Sequence, residues 1–147
     1  MREHPIRVLY IEDSVAMQKM ARLVLEKSGS FTVTICATGK EAIEQGPLLK
    51  PDLILADFHL PDMDGHQIVR TLREHPSLVR TPVVFVTASG DPQFILTLRD
   101  LGVLAVLPKP FNPLSLAPTL LRLWNEYFGG TQRKPFPSLP QIAFAMG

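Results

Sequence analysis

Acidic side chains follow two apolar segments of the sequence at the point where each segment ends. Glu12 and Asp13 come directly after Ile6–Ile11, and Asp57 comes directly after the apolar residues 53–56. A short apolar run that stops at turn-forming residues is typical of a strand buried on both faces of a parallel sheet. The last residue of such a strand lies at the sheet edge where α/β proteins hold their chemistry, although Asp57 could also simply open a turn.

Two other polar side chains end the next apolar segments. Thr87 closes the run Pro82–Thr87, and Lys109 follows Val103–Leu107 and one proline. A hydroxyl and an ammonium can both bind the oxygens of a phosphoryl group, and crowded carboxylates need a cation to coexist. Hard oxygen ligands in an open site suit Mg²⁺. Taken alone, Thr87 could be a strand terminus and Lys109 a surface lysine. With the three acids they predict a site where Asp57 is a nucleophile and forms an acyl phosphate.

Five strands that alternate with five helices predict a parallel sheet covered on both faces, with right-handed crossovers. The predicted strands are Ile6–Ile11, Phe31–Ala37, Leu53–Asp57, Pro82–Thr87 and Val103–Leu107. For a chain of this size we expect a doubly wound, flavodoxin-like three-layer sandwich with strand order 2-1-3-4-5. Its switch point lies between the first and third strands, which brings Glu12 and Asp13 beside Asp57.

Capping residues mark where the predicted helices begin. The helices are expected from Ser14 to Gly29, from the capping box Thr38–Glu41 to Gly46–Pro47, from the capping box Asp64–Gln67 toward Pro76, from Asp91–Pro92 to about Leu101, and from Asn112–Pro113 to Phe128. Pro118 falls inside the last segment. Because proline removes one backbone hydrogen bond and clashes with the preceding turn, we expect a kink there, or a restart with Ala117 as the cap.

The last predicted helix is apolar on two sides. One face carries Leu114, Ala117, Leu121, Trp124 and Phe128, and the other carries Leu116, Leu120, Leu123 and Tyr127. One face suffices for a core, so the second is a candidate partner surface, for instance in a homodimer through the last strand and helix. The sequence predicts one domain over residues 1–128 and a tail over residues 129–147, with three prolines, that is flexible or docks a partner.

Composition excludes several classes of protein. A chain of 147 residues with 46% hydrophobic residues predicts one globular domain, and a net charge of +1 offers no electrostatic footprint for nucleic acid or an anionic membrane. No apolar run is long enough to span a bilayer, and the N-terminus is no signal peptide, so we expect a soluble cytoplasmic domain. The single cysteine, Cys36, is expected to be a small buried hydrophobic residue rather than a reactive thiol.

The motifs resemble those of the receiver domains of two-component response regulators, over about residues 5–128. The matching stretches are Glu12–Asp13, Asp57 within residues 53–65, Thr87–Ala88–Ser89 and Lys109–Pro110–Phe111. The resemblance implies a phosphorylation-switched signalling domain that is not a turnover enzyme. Asp57 would accept a phosphoryl group from a sensor histidine kinase or a histidine phosphotransfer protein.

The same resemblance assigns roles around Asp57. Mg²⁺ would be held by Glu12, Asp13, Asp57 and the backbone carbonyl of His59. The side chains of Thr87 and Lys109 would contact the phosphoryl oxygens. The Lys109–Pro110 peptide would be cis, which is uncommon enough to be a useful test.

Two positions matter for how such a domain switches. Three residues before the lysine the family usually has Tyr or Phe, but here Val106 stands there, and valine cannot make the same large rotamer exchange. The imidazole of His59 could hydrogen-bond the phosphoryl group or point to solvent. The other three histidines, His4, His66 and His75, show no metal-ligand spacing and are expected at the surface.

Two alternative functions stay open from sequence alone. One is a receiver-like interaction module whose output does not require phosphorylation, suggested by Val106 and the doubly apolar last helix. The other is a flavodoxin-like cofactor carrier, which would need a phosphate-binding loop after the first strand. This chain has Glu12-Asp13-Ser14 at that position, and the two acids would repel phosphate without a metal. Residues 129–147 are too few for an appended DNA-binding or enzymatic domain. We therefore expect either a single-domain regulator or a piece of a longer protein.

Overall fold

The structure, a computed structural model, describes residues 4–88 and 101–129. The strands are β1 (Ile6–Ile11), β2 (Phe31–Cys36), β3 (Leu53–Asp57), β4 (Val83–Thr87) and β5 (Val103–Pro108). They form one parallel sheet in the order β2-β1-β3-β4-β5, which confirms the predicted doubly wound topology. Each strand boundary lies within one residue of its prediction. A register shift between Val83 and Val84 interrupts the pairing of β4 with β5.

The helices begin at the residues that the capping signals predict. They are α1 (Val15–Lys27), α2 (Gly39–Leu49), α3 (Gly65–Arg73) and α4 (Pro113–Phe128), and a single 3-10 turn occupies Pro76–Leu78. The side chains of Ser14, Thr38, Asp64 and Asn112 each accept a backbone N–H of the first turn that would otherwise lack a partner. The helix expected to begin at Asp91 lies outside the described residues, apart from Leu101.

Two prolines that were expected to interrupt helices do not end them. Helix α2 continues through Gly46 and Pro47 to Leu49, and α4 continues through Pro118 without a new cap at Ala117. The predicted end of α2 is therefore wrong, and of the two outcomes expected at Pro118, a kink or a restart, the restart does not occur. Each proline still removes one backbone hydrogen bond, but packing of the helix on the sheet offsets that loss, because tertiary contacts override local propensity.

The sheet is covered on both faces, as predicted for a three-layer sandwich. Helices α1 and α4 pack on one face and enclose apolar side chains of β1, β3 and β4, whereas α2 and α3 pack on the other. Trp124 is buried in the first of these layers, and Ala117, Leu121 and Phe128 pack against it. The second apolar face of α4 is thus largely used by the core of the domain itself, and only Leu114, 83% exposed, is fully free of it.

Two smaller predictions concern the cysteine and the membrane. Cys36 is buried at the end of β2, as expected of a small hydrophobic residue, and burial followed by the charge of Glu41 raises the pKa of its thiol to about 11. Among the described helices, none combines the length and the hydropathy that crossing a bilayer requires.

Candidate functional site

The register of the sheet brings the predicted acids together. Ile11 of β1 pairs with Ala56 of β3, so the residues that follow them, Glu12 and Asp57, lie side by side at the carboxyl edge. Ligand oxygens of Glu12, Asp13 and Asp57 all lie within 4.8 Å of one another. Glu12 and Asp57 are buried and Asp13 is exposed. Burial of two carboxylates at such short range requires compensating positive charge.

Lys109 supplies part of that charge. Its Nζ donates to Asp57 Oδ2 at 2.8 Å and lies 3.3 Å from Glu12 Oε1, so one ammonium bridges two buried carboxylates. Burial alone would lower the pKa of Lys109. The hydrogen bond and charge of Asp57, followed by those of Glu12, outweigh burial and raise it. Lys109 is therefore a cation at neutral pH, aimed at the carboxylate expected to react.

The donor set fits a hard divalent cation. Three carboxylates from two strand ends supply only oxygen ligands, and one of them, Asp13, faces solvent. The backbone N–H of His59 donates to Asp57 Oδ1 at 3.0 Å, so the next turn of the chain folds back over the acid. These features fit Mg²⁺ held by a few protein ligands and completed by water.

Glu12 is held by two further donors that sequence reasoning missed. The Tyr10 hydroxyl donates to Glu12 Oε1 at 3.3 Å, and the backbone N–H of Ser14 donates to Oε2 at 3.0 Å. Burial, and next the negative charge of Glu12, raise the pKa of the Tyr10 phenol far above its usual range, so it stays a donor. A signal was present: Tyr10 lies on β1, Glu12 directly follows the strand two residues later, and side chains two residues apart in extended chain lie on the same face.

The turn after Asp57 is tied to α2. Asp62 accepts the backbone N–H groups of Gly39 and Lys40 at 3.0 and 2.9 Å, so it caps a helix distant in sequence. Those two hydrogen bonds lower the pKa of Asp62. A β carbon on Gly39 would overlap the Met63 side chain, so any larger residue there would force Met63 to move. Nothing in the local sequence marks Asp62 as a cap for another element.

Thr87 and Lys109 are neighbours across β4 and β5. Thr87 is buried at the end of β4, one residue beyond Val86, which pairs with Asp57. The backbone N–H of Lys109 donates to the Thr87 carbonyl at 3.0 Å. The Lys109–Pro110 peptide is cis, which confirms that expectation.

Three of the four histidines are exposed at the surface, and the fourth, His66, is half-buried. The His59 ring is exposed and meets Phe58 edge-on, with ring centroids 5.2 Å apart. His4 and His75 are exposed, and His66 is half-buried. Val106 is fully buried and pairs with Phe85 of β4.

Comparisons with known proteins agree with this geometry. Residues 8–120 match the model of the response regulator receiver domain family. The probable C4-dicarboxylate response regulator DctR of Halalkalibacterium halodurans is 36% identical over 134 residues, which cover 90% of this chain and 57% of that protein. Response regulator Rre1 of Synechocystis is 34% identical over 109 residues, covering 74% of this chain and 47% of the relative. The chain thus spans about half the length of the curated relatives it matches.

Solved structures give the same result. The chemotaxis response regulator CheY4 of Vibrio cholerae superposes with a TM-score of 0.75 at 29% identity, over 81% of this chain and 98% of that one. The response regulator domain of Thermotoga maritima CheB superposes with a TM-score of 0.70 at 26% identity, over 88% of this chain and 100% of that domain. The chain belongs to the response regulator receiver domain family of two-component signalling.

Proposed function

We propose that this domain accepts a phosphoryl group on Asp57 and passes the signal on through protein contacts in the cytoplasm. The donor would be a sensor histidine kinase or a histidine phosphotransfer protein. The observation that carries the proposal is the position of Lys109 Nζ, 2.8 Å from Asp57 Oδ2 and 3.3 Å from Glu12 Oε1. A lysine fixed on a buried carboxylate at the acidic edge of a receiver sheet suits charge stabilisation during phosphoryl transfer.

The transfer needs a carboxylate oxygen, a donor and positive charge. One Asp57 oxygen attacks the phosphorus while the bond to the donor's leaving group breaks, and the product is an acyl phosphate on Asp57. Lys109 offsets the charge that builds on the phosphoryl oxygens. Attack by water would later cleave the phosphorus–oxygen bond and restore the carboxylate. The domain is thereby consumed and regenerated with each signal, which distinguishes it from a turnover enzyme.

Glu12, Asp13, Asp57 and the backbone carbonyl of His59 would hold Mg²⁺. When bound, the ion neutralises negative charge between the acids and the incoming phosphoryl group. The Thr87 hydroxyl would contact a phosphoryl oxygen together with Lys109, and this added contact would shift the domain toward its active surface. Thr87 is buried and directly follows Val86, the residue that pairs with Asp57 across β3 and β4, and this position supports that role.

Intact-mass spectrometry after incubation with acetyl phosphate and Mg²⁺ tests the proposal. We expect the mass of one phosphoryl group to be added to the wild type, none to Asp57→Asn, and none when EDTA replaces the metal. Asp52→Asn is the matched control, because Asp52 precedes the opposite end of β3 and pairs with Arg7. A wild type that gains no phosphoryl group, or an Asp57→Asn variant that gains one, contradicts the proposal.

A second candidate is a receiver whose output does not depend on phosphorylation. Val106 favours it, because a fully buried β-branched side chain cannot exchange rotamers as a large aromatic does. Partner affinity measured with and without beryllofluoride, a phosphoryl mimic, separates the two candidates. Equal affinities support the second, whereas affinity that rises with beryllofluoride supports the first.

Residues 1–128 form the receiver in this proposal, and residues 129–147 form a tail that is flexible or docks a partner. We include a homodimer through β5 and α4 because β5 is an edge strand and Leu114 of α4 is 83% exposed. Sedimentation velocity with and without beryllofluoride tests the dimer. A monomer under both conditions at high concentration contradicts it.

A further inference from the structure

Tyr10 is in direct contact with the acidic site, and neither the fold nor the proposed phosphoryl transfer explains its role. Its ring lies in the apolar layer between the sheet and helices α1 and α4, with no exposed surface. Its hydroxyl leaves that layer to reach Glu12 Oε1 at 3.3 Å. Burying a hydroxyl is unfavourable unless it is hydrogen-bonded, so the contact with Glu12 is what makes a tyrosine tolerable here.

The contact continues beyond Glu12. The same oxygen, Oε1, lies 3.3 Å from Lys109 Nζ, and Lys109 in turn donates to Asp57 Oδ2 at 2.8 Å. An unbroken chain of polar contacts thus runs from the core through Glu12 and Lys109 to the proposed phosphoacceptor. The backbone N–H of Ser14 holds the other oxygen of Glu12. Two donors from β1 and the start of α1 therefore fix the carboxylate that steadies the lysine.

We propose that Tyr10 is a positioning residue, which orients Glu12 and through it holds Lys109 against Asp57. This inference rests on the proposed function, since its consequence is a rate of phosphoryl transfer. Glu12 has a flexible side chain, and without the Tyr10 hydroxyl its carboxylate can rotate about its last bonds toward the exposed Asp13 side of the site. Lys109 would then lose one of its two anchors.

Tyr10→Phe removes one oxygen and leaves the ring in the core, so the variant should fold. A hydrogen bond to a charged group is among the stronger ones in proteins, so we expect the phosphorylation rate with acetyl phosphate at saturating Mg²⁺ to fall about 10-fold. Tyr127→Phe is the matched control, because Tyr127 is the only other tyrosine and is also buried, on α4. Its rate should stay within about twofold of wild type.

A double-mutant cycle shows whether Tyr10 acts through Glu12. In a Glu12→Ala background the carboxylate is gone, so adding Tyr10→Phe should leave the rate within about twofold of Glu12→Ala alone. A hydroxyl with a purely structural role would slow both backgrounds alike, and that result overturns the inference. So does a Tyr10→Phe rate equal to wild type.

A measurement without metal or phosphoryl donor separates this inference from the proposed function. The amide of Ser14 donates to Glu12 Oε2, so its proton resonance reports the position of that carboxylate. In metal-free protein, ¹H–¹⁵N spectra should show this resonance displaced in Tyr10→Phe and unmoved in Tyr127→Phe. An unmoved Ser14 resonance in Tyr10→Phe refutes the positioning role. Failure of the wild type to accept a phosphoryl group refutes the proposed function, while the Ser14 resonance still decides whether Tyr10 orients Glu12.

Discussion

The acidic edge and the apolar layer that contains Val106 are held together in different ways. At the edge, Glu12, Asp57 and Lys109 are joined by charged contacts of 2.8–3.3 Å. In the apolar layer between the sheet and helices α2 and α3 the contacts are apolar, and Val106 of β5 has no exposed surface there. The arrangement of the acidic edge therefore depends on charge and geometry, whereas the arrangement of the apolar layer depends on the volume of its packed side chains. Substitutions in the two regions should change different observables: phosphorylation rate in one and stability in the other.

The largest expected effect comes from the edge. Lys109→Met keeps much of the side-chain length but removes the only ammonium that the described residues place on both Asp57 and Glu12. Loss of one preorganised charge-stabilising donor costs about 10²–10³ in rate, and we expect a decrease of that size in the phosphorylation rate. Acetyl phosphate with Mg²⁺ and intact-mass spectrometry measure it.

Lys27→Met is the control for this prediction. Lys27 is exposed at the end of α1, so its loss changes the net charge equally without touching the site. Its phosphorylation rate should match wild type. A Lys109→Met rate within threefold of wild type would show that the bridge between the two carboxylates does not serve the transfer.

Much of this edge could be predicted because its signals are local. Apolar runs that end in Asp57, Thr87 or Lys109 mark the strand ends, and the alternation of strands and helices implies the order that makes them neighbours. The capping residues Ser14 and Asp64 are equally local, since each bonds to the backbone within three residues. Such patterns specify the type of residue that stands at each end of a strand or helix.

The remaining features depend on contacts between residues distant in sequence or on packing. Asp62 caps α2 across 22 or more positions of the chain, which no local pattern reveals. Pro47 and Pro118 stay inside helices because packing on the sheet offsets a lost hydrogen bond. Proline in the local sequence therefore predicts a helix end that does not occur. The sequence leaves one of the two apolar faces of α4 for a partner, but Trp124 of one face and Leu120 of the other are both buried in the same core. The bond from Tyr10 to Glu12 needed only strand alternation and could have been found.

A medium effect is expected on the apolar side. Val106→Ala removes two methyl groups from a fully buried site, which should lower the free energy of unfolding by about 2 kcal/mol. Urea denaturation measures this loss. The phosphorylation rate below the unfolding transition should stay within about twofold of wild type, because Val106 contributes volume rather than charge.

Val33→Ala is its control, since it deletes the same methyl groups from β2 on the other face of the sheet. Both variants should lose stability and keep their rate. If Val106→Ala slows phosphorylation while Val33→Ala does not, the two regions are coupled despite the valine, and the contrast between them fails.

The smallest effect concerns the tether between the turn after Asp57 and α2. Asp62→Ala removes an exposed cap, and solvent screening limits the loss of unfolding free energy to about 1 kcal/mol. Because hydrogen bonds from Gly39 and Lys40 lower the pKa of Asp62 in the folded state, its contribution is present above the ordinary aspartate pKa and is lost as the pH falls through the lowered folded value. The stability difference between wild type and variant should therefore be constant near neutral pH and narrow in acid.

Glu126→Ala is the control, because it breaks a surface pair with Arg122. Its loss of unfolding free energy relative to wild type should be smaller than that of Asp62→Ala. An Asp62→Ala difference that widens in acid would mean that the protonated side chain, rather than the carboxylate, holds the turn to α2.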